Sequence, residues 1–253
     1  MLGSVLGLIF GSFATVAAYR IPRRETIVSG RSKCPACGAT IRWYENIPVV
    51  SWLAQRGRCR HCGQPISMRY PITELVTAVL FGLAFAKYNL SVEAFVFAAF
   101  FWVLVVLTVI DLEHRLLPNR IVYPAFVVGW IGLTTGALSE GRPEALIGAA
   151  LGALIFGGFF LLIALVYPAG MGGGDVKLAL VLGSFLGYEG GVGVTLAGMF
   201  LSFLLGGVVG VTITVVKGGG RKSQVPFGPF LAAGTIIAVL GGESIVDAYL
   251  SSL

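Results

Sequence analysis

Charge is what this sequence has least of. Asp, Glu, Lys and Arg make up 12% of its 253 residues, about half the ~25% of an average soluble domain, while 56% are hydrophobic. A soluble fold of this length cannot cover its surface with so few charges. An ordinary cytosolic globular protein is therefore excluded, and a disordered chain with it. No charged side chain precedes Arg20. A cleavable signal peptide carries its positive charge ahead of the apolar stretch, so the first apolar run reads as a helix that stays. Also missing is a glycine-rich nucleotide loop following a strand, and the polar part of the chain is too small for a Rossmann unit.

What is present instead is apolar sequence in runs of spanning length, at 2–19, 72–87, 94–110, 121–138, 145–167, 178–188, 192–216 and 226–241. A membrane helix needs ~17–25 residues unless it tilts or thins the bilayer, so the sixth run is short. These runs predict an all-α polytopic membrane protein of about eight transmembrane helices. Glycine supports this reading, because 36 of 253 residues is about twice the usual ~7% and small residues let membrane helices approach closely. Gly3, Gly7 and Gly11 recur every four residues along the first run, a stripe expected to pack against a neighbouring helix.

The few charges are concentrated. Residues 20–70 hold ten Lys/Arg against Glu25 and Glu45, whereas the other 202 residues hold eight basic and ten acidic groups. Basic residues mark cytoplasmic loops. With the amino terminus outward, the inside loops collect those ten together with Arg115, Arg120, Lys177, Lys217, Arg221 and Lys222, leaving only Lys87 and Arg142 outside. The expected organisation is a first helix at 1–19, a cytoplasmic domain at 20–71 and a membrane core of about seven helices at 72–253. A basic patch beside a bilayer favours anionic headgroups. Nucleic acid is not the expected partner, since no long linker frees the segment from its flanking helices.

All four cysteines lie in that basic segment, as Cys34-Pro-Ala-Cys37-Gly and Cys59-Arg-His-Cys62-Gly. Two such knuckles can fold over one ion and present four thiolates tetrahedrally, as zinc requires. Gly38 and Gly63 permit the tight turn that aims backbone N–H groups at sulfur. Structural disulfides are disfavoured in a reducing cytoplasm, and a redox dithiol needs one knuckle rather than two. His61 lies inside a knuckle, but with four thiols available it is expected to be exposed.

Two acids stand where a bilayer should exclude them. Asp111 ends the third run, in TVIDLEHRLLPNR, and Asp175 lies in PAGMGGGDVKL between the fifth and sixth. A carboxylate at that depth is expensive and marks function by default. The glycines before Asp175 resist helix, and unwound backbone there is tolerated only when buried in protein or lining a wet cavity. Glycine also leaves room for an extended peptide. Two facing carboxylates that share one proton can activate water against a peptide carbonyl. The bland alternative pairs Asp111 with Arg115, and Asp175 with Lys177 or the lipid interface. Glu113 is at most a supporting residue, while His114 and Glu74 read as solvated helix ends.

Taken together, GSFATVAAYRIP at 11–22, the two CxxCG knuckles, ENIPVVSWLAQRGRCRHCGQPISMRYPITE at 45–74, DLEHRLLPN at 111–119, GMGGGDVKL at 170–178 and VPFGPFLAAG at 225–234 resemble the type IV prepilin peptidases of bacterial pilus and type II secretion systems. The resemblance runs in order through nearly the whole chain. It implies an inner-membrane aspartic peptidase of the GxGD type, with Asp175 in the glycine motif and Asp111 as its partner. It further implies cleavage of prepilins and pseudopilins after a leader-terminal glycine at the cytoplasmic face. The new amino terminus would then be methylated from S-adenosylmethionine, with the cysteine domain present in members that do both. Ala14-Thr15 and Asn119 depart from the family's usual Leu-Asn and Asp. Because the leaders are basic and so is segment 20–70, recognition is expected to rest on local acids such as Glu25, Glu45 and Glu113, and on the substrate's apolar helix.

Two other classes compete. A transporter also breaks helices near acids, but DLEHRLLPN and GMGGGDVKL do not resemble each other as internal symmetry would require. A metal-anchored scaffold would have no use for the aspartates.

Overall fold

The computed structural model describes residues 1–27, 30–168, 171–217 and 226–251. Arg221 and Lys222, used above for orientation, lie outside them, as do Gly170 and Val225 at the starts of two motifs. The elements in chain order are α1 (Leu2–Arg20), a 3₁₀ turn (Trp43–Asn46), α2 (Val50–Ala54), α3 (Arg69–Tyr88), α4 (Val92–His114), α5 (Asn119–Ser139), α6 (Ala145–Val166), α7 (Gly173–Lys217) and α8 (Gly228–Leu250). Among the described residues, extended pairing is confined to two isolated bridges, Lys33 with Thr40 and Arg58 with Pro65.

Seven of these helices are long and apolar enough to cross a membrane. The expected sixth and seventh runs form one element, α7, whose backbone leaves the helical region at Gly190 (φ −151°, ψ 33°) and Gly191 (φ 63°, ψ −146°). The chain folds back there, since a Cβ on Gly198 would come within 2.7 Å of Leu186 Cδ1. In a straight helix twelve residues would separate those positions by about 18 Å. Counted as rods, the eight expected runs are all present. The glycine pair supplies the positive φ that such a turn needs.

The chain divides into two compact units. The first comprises Met1–Leu90 with Phe97–Val106. Here the glycine stripe packs as expected, because a Cβ on Gly7 would lie 2.6 Å from Ala78 Cα and one on Gly11 2.7 Å from Glu74 Cα. That α1–α3 contact is backbone against backbone, which larger residues would forbid. Trp102 adds a tie, its indole N–H donating to the Phe10 carbonyl (2.8 Å) and its ring stacking on Phe13 with centroids 5.6 Å apart.

The second unit comprises Ser91–Val96 with Leu107–Leu253. In it α6 meets the first rod of α7 through reciprocal glycines, the carbonyls of Gly183 and Gly187 standing where Cβ atoms of Gly152 and Gly148 would be. A polar staple joins the start of α4, the connection between α5 and α6, and the first rod of α7. Buried Glu93 accepts hydrogen bonds from the Tyr188 hydroxyl (2.5 Å) and from Arg142 Nη2 (2.6 Å). The Glu93 carboxylate holds the Arg142 guanidinium above its ordinary range. Removing one partner of a buried pair is costly, but the Arg142 side chain is 43% exposed and regains water. Glu93→Gln is therefore expected to cost about 1–3 kcal/mol, read as a lower thermal unfolding midpoint in detergent. An unchanged midpoint would remove the staple from the stabilising contacts.

Candidate functional site

Asp111 sits in the last turn of α4 and is only 5% exposed. Its Oδ2 accepts the backbone N–H of Gly228, the first residue of α8, at 3.0 Å. Gly228 has no room for a side chain, because a Cβ there would stand 2.6 Å from the same oxygen. The approach is fixed by aromatic packing at the start of α8, where the Phe227 ring lies 5.5 Å from Phe203 and 6.2 Å from Phe160, centroid to centroid. Apolar rings thus hold a backbone donor on a buried carboxylate.

Asp175 is half-buried at the third position of α7. Gly173 and Gly174 are already helical, so the glycine run is less unwound than its composition suggests. An acid in the first turn favours helix through the exposed amide groups there, which offsets the glycines. Gly172 lies beside the Asp175 carboxylate, a Cβ on it falling 3.3 Å from Oδ2, and Gly174 faces Leu117. Asp111 and Asp175, the two sequence-predicted acids, both belong to the second unit.

The bland pairings are not made. Arg115 meets Asp111 only through its backbone, its N–H donating to the Asp111 carbonyl at 2.9 Å. Lys177 hydrogen-bonds Asn119 Oδ1 (3.1 Å) and lies 5.2 Å from the Tyr123 ring centroid. Asn119, a departure from the family pattern, thus holds the lysine two residues from Asp175. Glu113 is 3.9 Å from His114 Nε2. Sequence reasoning missed Gly228, which lies 117 residues from Asp111; the VPFGPF motif was its only signal.

In the first unit, the four cysteine sulfurs lie within 4.8 Å of one another, with Cys34 Sγ and Cys62 Sγ 3.9 Å apart. Tetrahedral Zn–S bonds of ~2.3 Å put sulfurs about 3.8 Å apart, so the cluster is close to the size that one ion would draw together. The knuckles are built alike. Gly38 N–H donates to Cys34 O and Gly63 N–H to Cys59 O, both at 2.9 Å, and the two glycines have φ of 70° and 69°. Backbone N–H groups of Cys37 and Ala36 aimed at the Cys34 sulfur bring that thiol down to about 7. At Cys62 the Gln64 N–H favours the thiolate, but desolvation and the other three thiols outweigh it and push this group up to about 11. A cation among the four removes that mutual penalty. His61 is exposed.

Comparison with known proteins agrees with this layout. Residues 5–88 match the bacterial peptidase A24 N-terminal domain, and residues 98–211 match the type IV leader peptidase family. The chain is 37% identical over 246 residues to the prepilin leader peptidase/N-methyltransferase of Bacillus subtilis, covering 97% of this chain and 96% of that one. It belongs to the type IV leader peptidase family. Proteins of the same name from Pseudomonas putida (38% identical, 96% of this chain and 91% of that one) and Pseudomonas aeruginosa (35%, 97% and 91%) are also similar. No solved structure matches the chain. Together, family and apolar helices make the protein a multi-pass membrane enzyme.

Proposed function

We propose that the chain removes the leader peptide of type IV prepilins and pseudopilins at the cytoplasmic face of the inner membrane, then N-methylates the new amino terminus. The observation that supports the first activity best is that Asp111 and Asp175 share one unit, with Gly228 N–H held on the Asp111 carboxylate. Held close, two carboxylates share one proton. The ionised member takes a proton from water as its oxygen attacks the scissile carbonyl carbon. The protonated member hydrogen-bonds the carbonyl oxygen, which becomes the oxyanion. Collapse of the tetrahedral adduct breaks the C–N bond, and the leaving amine takes up a proton from the dyad. Gly172 leaves space beside Asp175 for the substrate backbone.

Zinc in this reading sits among Cys34, Cys37, Cys59 and Cys62 and shapes the cytoplasmic domain of residues 20–71. S-adenosylmethionine, when bound, supplies a methyl group activated by its sulfonium. The amino terminus faces outward, and the basic segment meets anionic headgroups. Of the three acids expected to greet a basic leader, Glu45 has a side chain only 7% exposed, which leaves that contact to Glu25 and Glu113.

Co-expression with a prepilin tests both activities at once, through leader loss on a gel and a one-methyl mass gain on the mature amino terminus. A prepilin left full-length would sink the peptidase reading, and a cleaved but unmethylated pilin the second one. A finer test is Gly228→Ala. Its methyl group must displace the Asp111 carboxylate, and a misplacement approaching 1 Å costs about 10²-fold in rate. Cleavage at the wild-type rate would detach Gly228 from the chemistry.

A further inference from the structure

The first unit forms an open-sided cavity of about 690 Å³, walled by α1, the start of α3, Trp52 and the two cysteine knuckles. Cavities of ~300–1,000 Å³ suit small molecules. Glu25, Glu45 and Glu74 line it, and their states differ. Glu74 accepts the Val49 N–H at 2.7 Å. Glu45 Oε2 accepts the Arg42 N–H at 2.8 Å, but its Oε1 is fully buried with no hydrogen-bond partner among the described residues. Arg60 Nη1 stands 3.7 Å from that oxygen, too far for a hydrogen bond. A buried carboxylate oxygen left without a donor is costly, and a ligand that donates to it removes the cost.

Chemistry narrows the ligand. A carboxylate and a guanidinium side by side, in an ion pair too long for a hydrogen bond and with Arg60 Nη1 donating weakly to the Tyr44 hydroxyl (3.4 Å), match the ammonium and carboxylate of an α-amino acid. Trp52, fixed by its indole N–H on the Ile66 carbonyl (3.1 Å), adds a rigid aromatic wall suited to a purine. Arg31, Lys33, Arg60 and Arg69 also line the cavity and offer partners for a carboxylate. We propose that this cavity holds the methyl donor S-adenosylmethionine, with its α-ammonium on Glu45, its α-carboxylate on Arg60 and its adenine against Trp52. The assignment rests on the methyltransferase reading above. The knuckles would then bear on that activity, since their loops form part of the cavity wall.

The test is equilibrium binding of radiolabelled S-adenosylmethionine to the zinc-loaded full chain in detergent. Glu45→Gln and Arg60→Gln should each weaken binding at least tenfold, with zinc content and unfolding midpoint unchanged. Asp175→Asn, which removes a carboxylate of the second unit, should bind the donor like wild type. Ultraviolet cross-linking of bound donor should label residues 42–74. Wild-type affinity in both cavity variants, or label found elsewhere, would overturn the site while leaving the methyltransferase reading intact. A wild-type protein that cleaves prepilin yet neither binds the donor nor methylates would overturn both.

Discussion

Asp111→Asn and Asp175→Asn are each expected to lower prepilin cleavage by at least about 10³-fold, in line with the loss of a positioned acid or base. Asparagine preserves the volume, and at 111 its carbonyl oxygen still accepts the Gly228 N–H seen at 3.0 Å, so the helices keep their packing. Neither amide exchanges a proton. Because the pair acts through one shared proton, the double variant should be about as inactive as either single one, the non-additivity expected of groups that work as a unit. Methylation of a pre-cleaved pilin should persist in all three proteins. The measurement is the initial rate of leader release in detergent, with methyl transfer assayed on the same preparations. Substantial cleavage by either single variant would dismiss the dyad.

Removing the metal should have the second largest effect. Between residues 21 and 68, Cys34 and Gly57 alone are buried among the described residues. A segment that small and exposed has too little core to hold itself, whereas structural zinc contributes about 10–16 kcal/mol in small zinc-finger peptides. Chelation, or Cys34→Ser with Cys62→Ser, should therefore open the segment to protease and reduce methylation at least tenfold. The Asp111–Gly228 contact belongs to the other unit and gains nothing directly from the metal. Metal analysis should find one zinc per chain before treatment and none after. Full protease protection and undiminished methylation in the zinc-free chain would refute a structural metal.

Much of this was legible in the sequence because membrane helices and metal knuckles are written locally. Apolar runs of fixed length, CxxCG repeats and a four-residue glycine stripe each carry their meaning within a few residues. Asp111 and Asp175 stood out for the same reason, as charge where hydrocarbon is expected. Contacts made by closure were not legible. Gly228 reads as one glycine among many until α8 folds back on Asp111, and Arg142 reads as an outside-loop charge until Glu93 and Tyr188, 95 residues apart, meet beside it. Glu45 looked like a surface acid, and only the 3₁₀ turn at Trp43–Asn46 turns it inward. The helical start at Gly173 was hidden by the cost of glycine, which the acid two residues on offsets.

The turn at Gly190 and Gly191 also bears on how the chain enters a membrane during synthesis. The rod before it, residues 173–189, rises only about 25 Å and carries Asp175, Lys177 and Glu189. Handed alone to the insertion machinery, such a short segment with charges at both ends partitions poorly, because it has too few apolar residues to span. The longer rod that follows, residues 192–217, has no charge before Lys217. A two-residue turn lets the pair enter as one hairpin, with the apolar arm carrying the polar one. The acid that the chemistry needs is thus delivered to its depth by its neighbour.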